Sequence, residues 1–349
     1  MNKEKRVGLA RSALLNWHAS HGRHDLLWRR FTDPYAVLVS EFMLQQTTVA
    51  TVTPRFAEWM QTFPTVADLA SATEEEVLTA WQGLGYYSRA RRLHAAAKTI
   101  TECHDAIIPS ESESLLALPG IGDYTAAAVL AFAYDLHALV LDTNIIRVLS
   151  RWANLDTPID IGKGKKLLMK IAESFYPRTG CRATASALMD LGATICTSGI
   201  PQCSLCPLQQ TCLADKPEHL PRKAPRVVTL KQSELRVCFY QQERLYLELS
   251  QGPRWRGLWI LPELGKAHAK GYRSTPLAEV TYPITRYRIT MKVFETLDKP
   301  PTHLRGFSIE ELNSIPIPSP HRKAIGAVAK RLFSIHNPGK ALTDAHHDT

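Results

Sequence analysis

Leu118-Pro119-Gly120-Ile121-Gly122 lies between two segments of helical spacing, Ser112 to Leu118 and Thr125 to Ala133. Proline stops the first helix, and two glycines permit a tight turn with close backbone approach. The second helix then starts, so its unpaired N–H groups point outward, where an anion satisfies them. The stretch reads as a helix-hairpin-helix clamp on a phosphate, indifferent to base sequence. An ordinary helix–helix turn is the plainer reading of these five residues alone.

Outward from the hairpin, helical spacing continues in both directions. Asp33-Pro34 is an N-cap followed by proline at the first helical position. Thr65 to Leu69, Thr73 to Trp81, Ser88 to Thr101, Asn144 to Trp152, Lys163 to Phe175 and Thr184 to Cys196 follow the same period, with no strand alternation between them. After Cys212 the pattern changes. Lys216 to Pro225 is rich in Pro, Lys and Arg and reads as linker. Leu235 to Tyr240 and Arg244 to Leu249 then alternate around Gln241-Gln242-Glu243 as a hairpin. Leu258 to Leu261 and Tyr287 to Glu295 are further strands, and Arg322 to Phe333 is a helix. The expected architecture is an all-α domain over 1–214, a linker over 215–233, a smaller α+β domain over 234–335 and a disordered tail over 336–349.

The chain has 349 residues, with 42 Lys and Arg against 33 Asp and Glu. A net charge of +9 favours a polyanionic partner. No apolar run reaches the roughly 18 residues of a membrane helix. The first residues lack a secretory pattern, so an intracellular, membrane-free protein is expected. Its seven cysteines then point to metal or buried thiols in place of disulfides. Four of them, Cys196, Cys203, Cys206 and Cys212, form one compact run, C-x6-C-x2-C-x5-C. Zinc remains a rival, but zinc sites usually pair two C-x2-C knuckles. One nested C-x2-C suits a [4Fe–4S] cluster better, in a structural or DNA-docking role. Cys103, Cys181 and Cys238 are expected to be ordinary buried thiols, and the histidines to face solvent.

Two carboxylates stand in unlike settings. Glu41 has Val37, Leu38, Leu44 and Gln45 as helical neighbours. Desolvation on that face raises a carboxyl pKa and keeps it protonated. Asp142 ends the apolar run Ala138 to Leu141 and opens a helix, where the dipole favours the anion. An acid and a persistent anion divide the labour of cleaving a glycosidic bond. A rim glutamate and a simple N-cap are the plainer readings of each residue alone.

These residues resemble the adenine DNA glycosylases of the MutY family. The resemblance is carried by Ser40-Glu41-Phe42-Met43-Leu44-Gln45-Gln46-Thr47, by Trp81 through Arg91, by the hairpin with Gly120 and Gly122, by Leu141-Asp142-Thr143-Asn144 and by Met189-Asp190-Leu191-Gly192-Ala193. It implies a helix-hairpin-helix glycosylase domain with an iron–sulfur loop, followed by a MutT-like (Nudix-like) α+β domain. It implies a monomer acting on double-stranded DNA, excising adenine mispaired with 8-oxoguanine or guanine in base excision repair, and a cytoplasmic, nucleoid-associated protein if bacterial. Glu41 would protonate N7 of adenine, and Asp142, with Asn144 beside it, would stabilise the sugar cation. Tyr124 stands where bifunctional relatives carry lysine, so no stable Schiff base is expected. Tyr86 would wedge into the stack with Leu84 as companion, Gln45, Gln46 and Thr47 would read the opposite base, and Arg23 and Trp28 would line the base pocket. Trp255 and Trp259 are expected in the core. The glutamate-rich Nudix helix is missing, which argues against pyrophosphate hydrolysis.

Two positions depart from the family. Ile284-Thr285-Arg286 replaces the Phe-Ser-His loop that reads 8-oxoguanine, leaving Thr285 to hydrogen-bond and Arg286 to meet phosphate. Ser186 replaces a Gln or Glu that meets the edge of the flipped base. A related glycosylase with a changed or broadened target is therefore the second reading. A cluster-bearing DNA-binding protein without catalysis is the third.

Overall fold

The structure, a computed structural model, describes residues 2–225, 228–265, 271–284 and 286–336. The chain divides into two compact units, Met1–Val77 with Ser88–Arg226, and Leu78–Tyr87 with Val227–Thr349.

The first unit is helical. Its helices are α1 (Lys3–His21), α2 (Pro34–Leu44), α3 (Val49–Thr62), α4 (Val66–Ser71), most of α5 (Glu74–Ala80), α6 (Ser88–Cys103), α7 (Ser112–Ala117), α8 (Asp123–Phe132), α9 (Thr143–Trp152), α10 (Gly162–Phe175) and α11 (Cys181–Thr194). Helix α2 starts as expected: the Asp33 carboxylate accepts from the N–H groups of Tyr35 and Ala36, each at 3.2 Å, with Pro34 following. Every residue from Tyr35 to Met43 is buried, so α2 is the central helix and not a surface one. Phe42, Phe56 and Phe175 are each almost fully buried. Burial stabilises such side chains by about 1.5–3 kcal/mol apiece.

The hairpin takes the expected form. Helix α7 ends at Ala117, Ile121 N–H donates to Leu118 O at 3.2 Å, and α8 starts after Gly122. Gly120 has φ of 79°, and a Cβ there would sit 2.5 Å from the Cβ of Arg92. Nothing lies within 4 Å of a Cβ built at Gly122, so that backbone stands open to an approaching group.

The second unit is α+β. Strands β1 (Leu230–Gln241), β2 (Arg244–Leu249), β3 (Trp259–Ile260), β4 (Ala278–Ile284) and β5 (Tyr287–Thr296) run in the order β3-β2-β1-β5-β4, and β6 (Arg305–Phe307) pairs with β2. The hairpin expected between β1 and β2 forms, with Phe239 opposite Tyr246. Its turn is Gln242-Glu243, both at positive φ, which matches a two-residue loop to strand twist. Strands β1 and β5 pair in parallel, and β4 holds the sheet edge, where Pro283 loses no ladder bond to a further strand. Helices α12 (Ile309–Ser314) and α13 (Ser319–His336) complete the unit, and α13 packs against β4. Trp255 and Trp259 pack against the core as expected. Leu78–Tyr87 belongs here: Gln82 Nε2 donates to Ile315 O at 2.6 Å and the Tyr87 hydroxyl to Ile317 O at 3.2 Å.

Several expectations are corrected. Strand β1 begins at Leu230, inside the stretch read as linker, because it pairs with β5 from Tyr287 onward. Earlier residues of that stretch are bound: Ile159 N–H donates to Arg222 O, and Ala224 N–H to the Asp160 carboxylate. Cys103 is exposed at the end of α6, whereas Cys181 and Cys238 are buried as expected. His94 and His321 are buried, against the expectation for histidines. The tail beyond His336 and Thr285 lie outside the described residues. Among the described residues no helix is long and apolar enough to cross a membrane.

Helix α10 offers a stability test. A Cβ at Gly164 would lie 1.9 Å from the backbone oxygen of Pro158. Backbone cannot give way as a side chain does, so Gly164→Ala is expected to cost about 1–3 kcal/mol, read by chemical denaturation.

Candidate active site

A cavity of about 480 Å³ opens in the helical unit. Arg23, Trp28, Glu41, Gln45, Thr47, Tyr124, Asp142, Asn144 and Ser186 all line it. Nine residues named from the sequence are thus gathered from η1 (Leu27–Arg29), α2, α8, α9, α11 and the segments beside them. Gly120 and Gly122 stand at the hairpin. Leu84, Tyr86 and Arg286 belong to the second unit. Tyr86 is 46% exposed with φ of 45°, whereas Leu84 is buried. A side chain already in a core has no face to offer a base stack, so its expected companion role has no exposed surface behind it. Arg286 is exposed and lies over the ring of its neighbour Tyr287, donating to that hydroxyl at 3.2 Å.

Glu41 is buried on α2, and burial pushes its carboxyl up to about 7. The Tyr124 hydroxyl donates to it and moderates the shift, the nearby Asp142 charge adds to it, and Arg29 opposes it. Tyr124 is itself raised, first by burial and then by the Glu41 charge, and stays a neutral phenol.

Asp142 is the N-cap of α9. Its carboxylate accepts from Ile145 N–H at 2.6 Å and from Asn144 Nδ2 at 2.8 Å. The expectation that the helix terminus leaves it more acidic than usual is corrected. Burial outweighs the cap, and the net direction is upward. The donors of Ile145 and Asn144 and the charge of Arg147 limit that rise. The two carboxyls therefore differ in their solvation. Glu41 has a phenol, and Asp142 has backbone, amide and cation.

Three contributors were given no site role from the sequence. Asp190 is fully buried on α11. Arg29 grips it through both guanidinium nitrogens, at 2.5 and 2.8 Å; Arg23 Nε lies at 2.7 Å and His18 Nε2 at 3.2 Å. Burial alone would raise this carboxyl; the His18 and Arg29 contacts outweigh it and hold it well below the usual carboxylate range. Arg29 lines the cavity beside Arg23. Arg147 donates to Asn144 Oδ1 at 2.9 Å, to Gly192 O at 2.5 Å and to Cys196 O at 2.7 Å. Gly192 is required there: a Cβ would fall 2.6 Å from the Cβ of Asn144. A buried aspartate next to a run of helical apolar residues, with arginines 161 and 167 residues away, leaves no local periodicity to read.

The cysteines lie together. The Cys206 thiol is raised by burial first and then by the charges of Cys196, Cys212 and Cys203, which places all four within electrostatic reach. Arg151 Nη1 lies 3.4 Å from Cys196 Sγ and donates to Thr197 O at 2.7 Å. Among the described residues no three His, Cys, Asp or Glu side chains converge on a single ion. Four thiols on one loop have the donor chemistry of a thiolate-held metal centre.

Comparison with known proteins bears on this arrangement. Residues 39–177 match the HhH-GPD superfamily of base excision DNA repair proteins. An adenine DNA glycosylase of Mycolicibacterium smegmatis is 44% identical over 196 residues, covering 56% of this chain and 66% of that protein. Another from Buchnera aphidicola of Baizongia pistaciae is 39% identical, and the match spans 56% of its length. A third, from Buchnera aphidicola of Schizaphis graminum, is 33% identical over 253 residues, covering 71% of this chain and 73% of that protein. A thermostable thymine-DNA glycosylase superposes with a TM-score of 0.54 at 27% identity, over 60% of this chain and 96% of that one. A trapped endonuclease III–DNA covalent intermediate superposes with a TM-score of 0.51 at 20% identity, a likeness of fold. Glu41, Tyr124, Asp142 and Asn144 fall within residues 39–177, and the chain belongs to the adenine DNA glycosylase family.

Proposed function

We propose that this chain is a monofunctional adenine DNA glycosylase that acts as a monomer on double-stranded DNA. It excises adenine opposite 8-oxoguanine or guanine in base excision repair. The observation that carries this reading is the pairing of Glu41 and Asp142 in one cavity under unlike solvation. The hairpin takes a phosphate, and Tyr86, exposed at positive φ, fills the gap left by the flipped base.

Protonated Glu41 gives its proton to N7 of adenine. The bond between C1′ and N9 breaks, and its electron pair leaves with the base. Asp142, held by Ile145 and Asn144, faces the cation that forms at C1′. Water adds to C1′ and loses a proton to a carboxylate, which balances the hydrolysis. Below about pH 7 Glu41 carries its proton, while the donors of Ile145 and Asn144 favour the anionic form of Asp142. Tyr124 holds the Glu41 carboxyl and supplies no amine, so strand cleavage is weak or absent.

Cys196, Cys203, Cys206 and Cys212 would hold a [4Fe–4S] cluster, which supplies structural cross-linking of the loop. Residues 234–335 form the MutT-like domain, with 8-oxoguanine read near Ile284-Thr285-Arg286. Iron analysis of the purified chain is expected to give four iron atoms per chain, and zinc in their place would reject the cluster.

The first test is single-turnover excision on duplexes with adenine opposite 8-oxoguanine, guanine or cytosine, and thymine opposite guanine, with alkali to reveal abasic sites. Fast release of adenine opposite 8-oxoguanine is expected, without a borohydride-trapped adduct. Release of another base supports the second reading, which Ser186 favours: it lines the cavity and is too short for paired contacts with a base edge. Ser186→Gln is then expected to raise adenine selectivity, and an unchanged preference would sink that idea.

Glu41 carries a pH prediction. The acid is present below its pKa of about 7, so excision falls as pH rises through that value. Glu41→Gln is expected to lower the rate by about 10²-fold or more. Its folded pKa is raised, so its contribution to stability is full below the ordinary value of 4.5 and lost as pH rises through about 7. Relative to wild type, Glu41→Gln therefore gains stability above that pH, read by thermal melting.

A further inference from the structure

Arg89, the second residue of α6, is 6% exposed, and its guanidinium reaches the C-terminal end of α2. Nη1 lies 2.7 Å from Phe42 O, 3.0 Å from Met43 O and 2.5 Å from Gln45 O. Nη2 donates to Thr47 Oγ1 at 3.0 Å. The last carbonyls of a helix have no partners within it and carry the negative end of its dipole. A buried cation set among them therefore meets its electrostatic complement. The contacts need a planar fork, which an ammonium on a flexible stem does not reproduce.

The turn that Arg89 holds is an unusual one. Gln45 leaves the helix, and Gln46 takes φ of 56°, a left-handed conformation for a side chain with a Cβ. Gln45 and Thr47 line the cavity that contains Glu41. Glu41 sits one turn earlier, in a stretch of α2 that is buried throughout and capped at its other end by Asp33. The acid is thus fixed by its helix, and the turn is fixed by Arg89. In sequence Arg89 also follows Tyr86 by three residues, so the start of α6 is tied to two stretches expected to face DNA.

We propose that Arg89 is the positioning residue of the 45–47 turn, holding Gln45, Gln46 and Thr47 in the conformation that reads the base opposite the target. This rests on the glycosylase reading above. Arg89 touches neither substrate nor reacting atoms, and it acts through three carbonyls and one hydroxyl.

The test uses the full chain, as wild type, Arg89→Lys and Arg89→Gln. Kd is measured for a duplex with adenine opposite 8-oxoguanine and for a fully paired duplex, alongside the single-turnover rate at saturating enzyme and thermal melting. Both variants are expected to lose about tenfold in the ratio of the two Kd values. The saturated rate stays within about threefold, with the same pH midpoint. Arg89→Lys keeps the buried charge and guards against a variant that merely unfolds. A ratio unchanged in a folded variant overturns the proposal, as does an equal loss of ratio and saturated rate, the signature of a generally loosened α2. Wild type that shows no preference for the mispair overturns the glycosylase reading, and this inference with it, before any variant is compared.

Discussion

A carboxylate with no exposure to water, Asp190, holds the candidate site together. Residues 22–30 contain only one short 3-10 turn, so they have few backbone bonds of their own. They nevertheless bring Arg23, Trp28 and Arg29 to the cavity. The segment is placed by ion pairs: Arg23 and Arg29 converge on Asp190 from one side and His18 from α1 joins them. Because Asp190 and Ser186 share α11, the same contact sets the distance between the pocket's cations and the position expected to face the base. A buried charge left without partners costs several kcal/mol, so the segment has one favourable place to lie.

The cations do a second job. Arg29 is neutralised by Asp190 through two bonds, yet its charge still lowers the Glu41 carboxyl that burial raises. Glu41 ends near 7, where the acid proposed for this reaction is both protonated enough to donate and acidic enough to let go. Without Arg29 the shift from burial and Asp142 would run further, and the acid would hold its proton. The acid's strength is a balance between an apolar helix and an arginine whose position another helix decides.

How far residues predict such a site depends on the range of the interactions that make it. The hairpin at 118–122, the Asp33-Pro34 start of α2 and the β1–β2 hairpin rest on contacts within a few residues, and each forms as expected. The pairing of Glu41 with Asp142 was inferred from chemistry, and the helical unit brings both to one cavity. Interactions between distant residues escaped. Strand β4 and its pairing with β5 were hidden by Pro283, a residue that suits an edge and disguises a strand. Helix α3 carries Pro54 inside it, which breaks a periodic reading. The Asp142 titration went the other way because local sequence shows the cap and not the depth of burial. Arg89 and Asp190 lay inside quoted motifs, but nothing beside them indicated which carbonyls or cations they would meet.

The same distinction explains how the cysteine loop bears on the cavity. Arg147 is one turn along α9 from Asn144, and one guanidinium joins Asn144 Oδ1, Gly192 O and Cys196 O. Asn144 in turn donates to Asp142. Gly192 leaves no room between α11 and Asn144, so the amide cannot move away from that bond without moving a helix. Any displacement of the Cys196 backbone is therefore a displacement of the Arg147 head group, and through Asn144 a change in the solvation of Asp142. Arg151, one turn further, grips Thr197 O, Gly199 O and Leu220 O, so the start of the loop and the chain that follows it are held from the same helix. Among the described residues, none from 196–212 lines the cavity. Its first cysteine is nevertheless three hydrogen bonds from the carboxylate expected to face the sugar, and a loop kept rigid there keeps that carboxylate's donors in place.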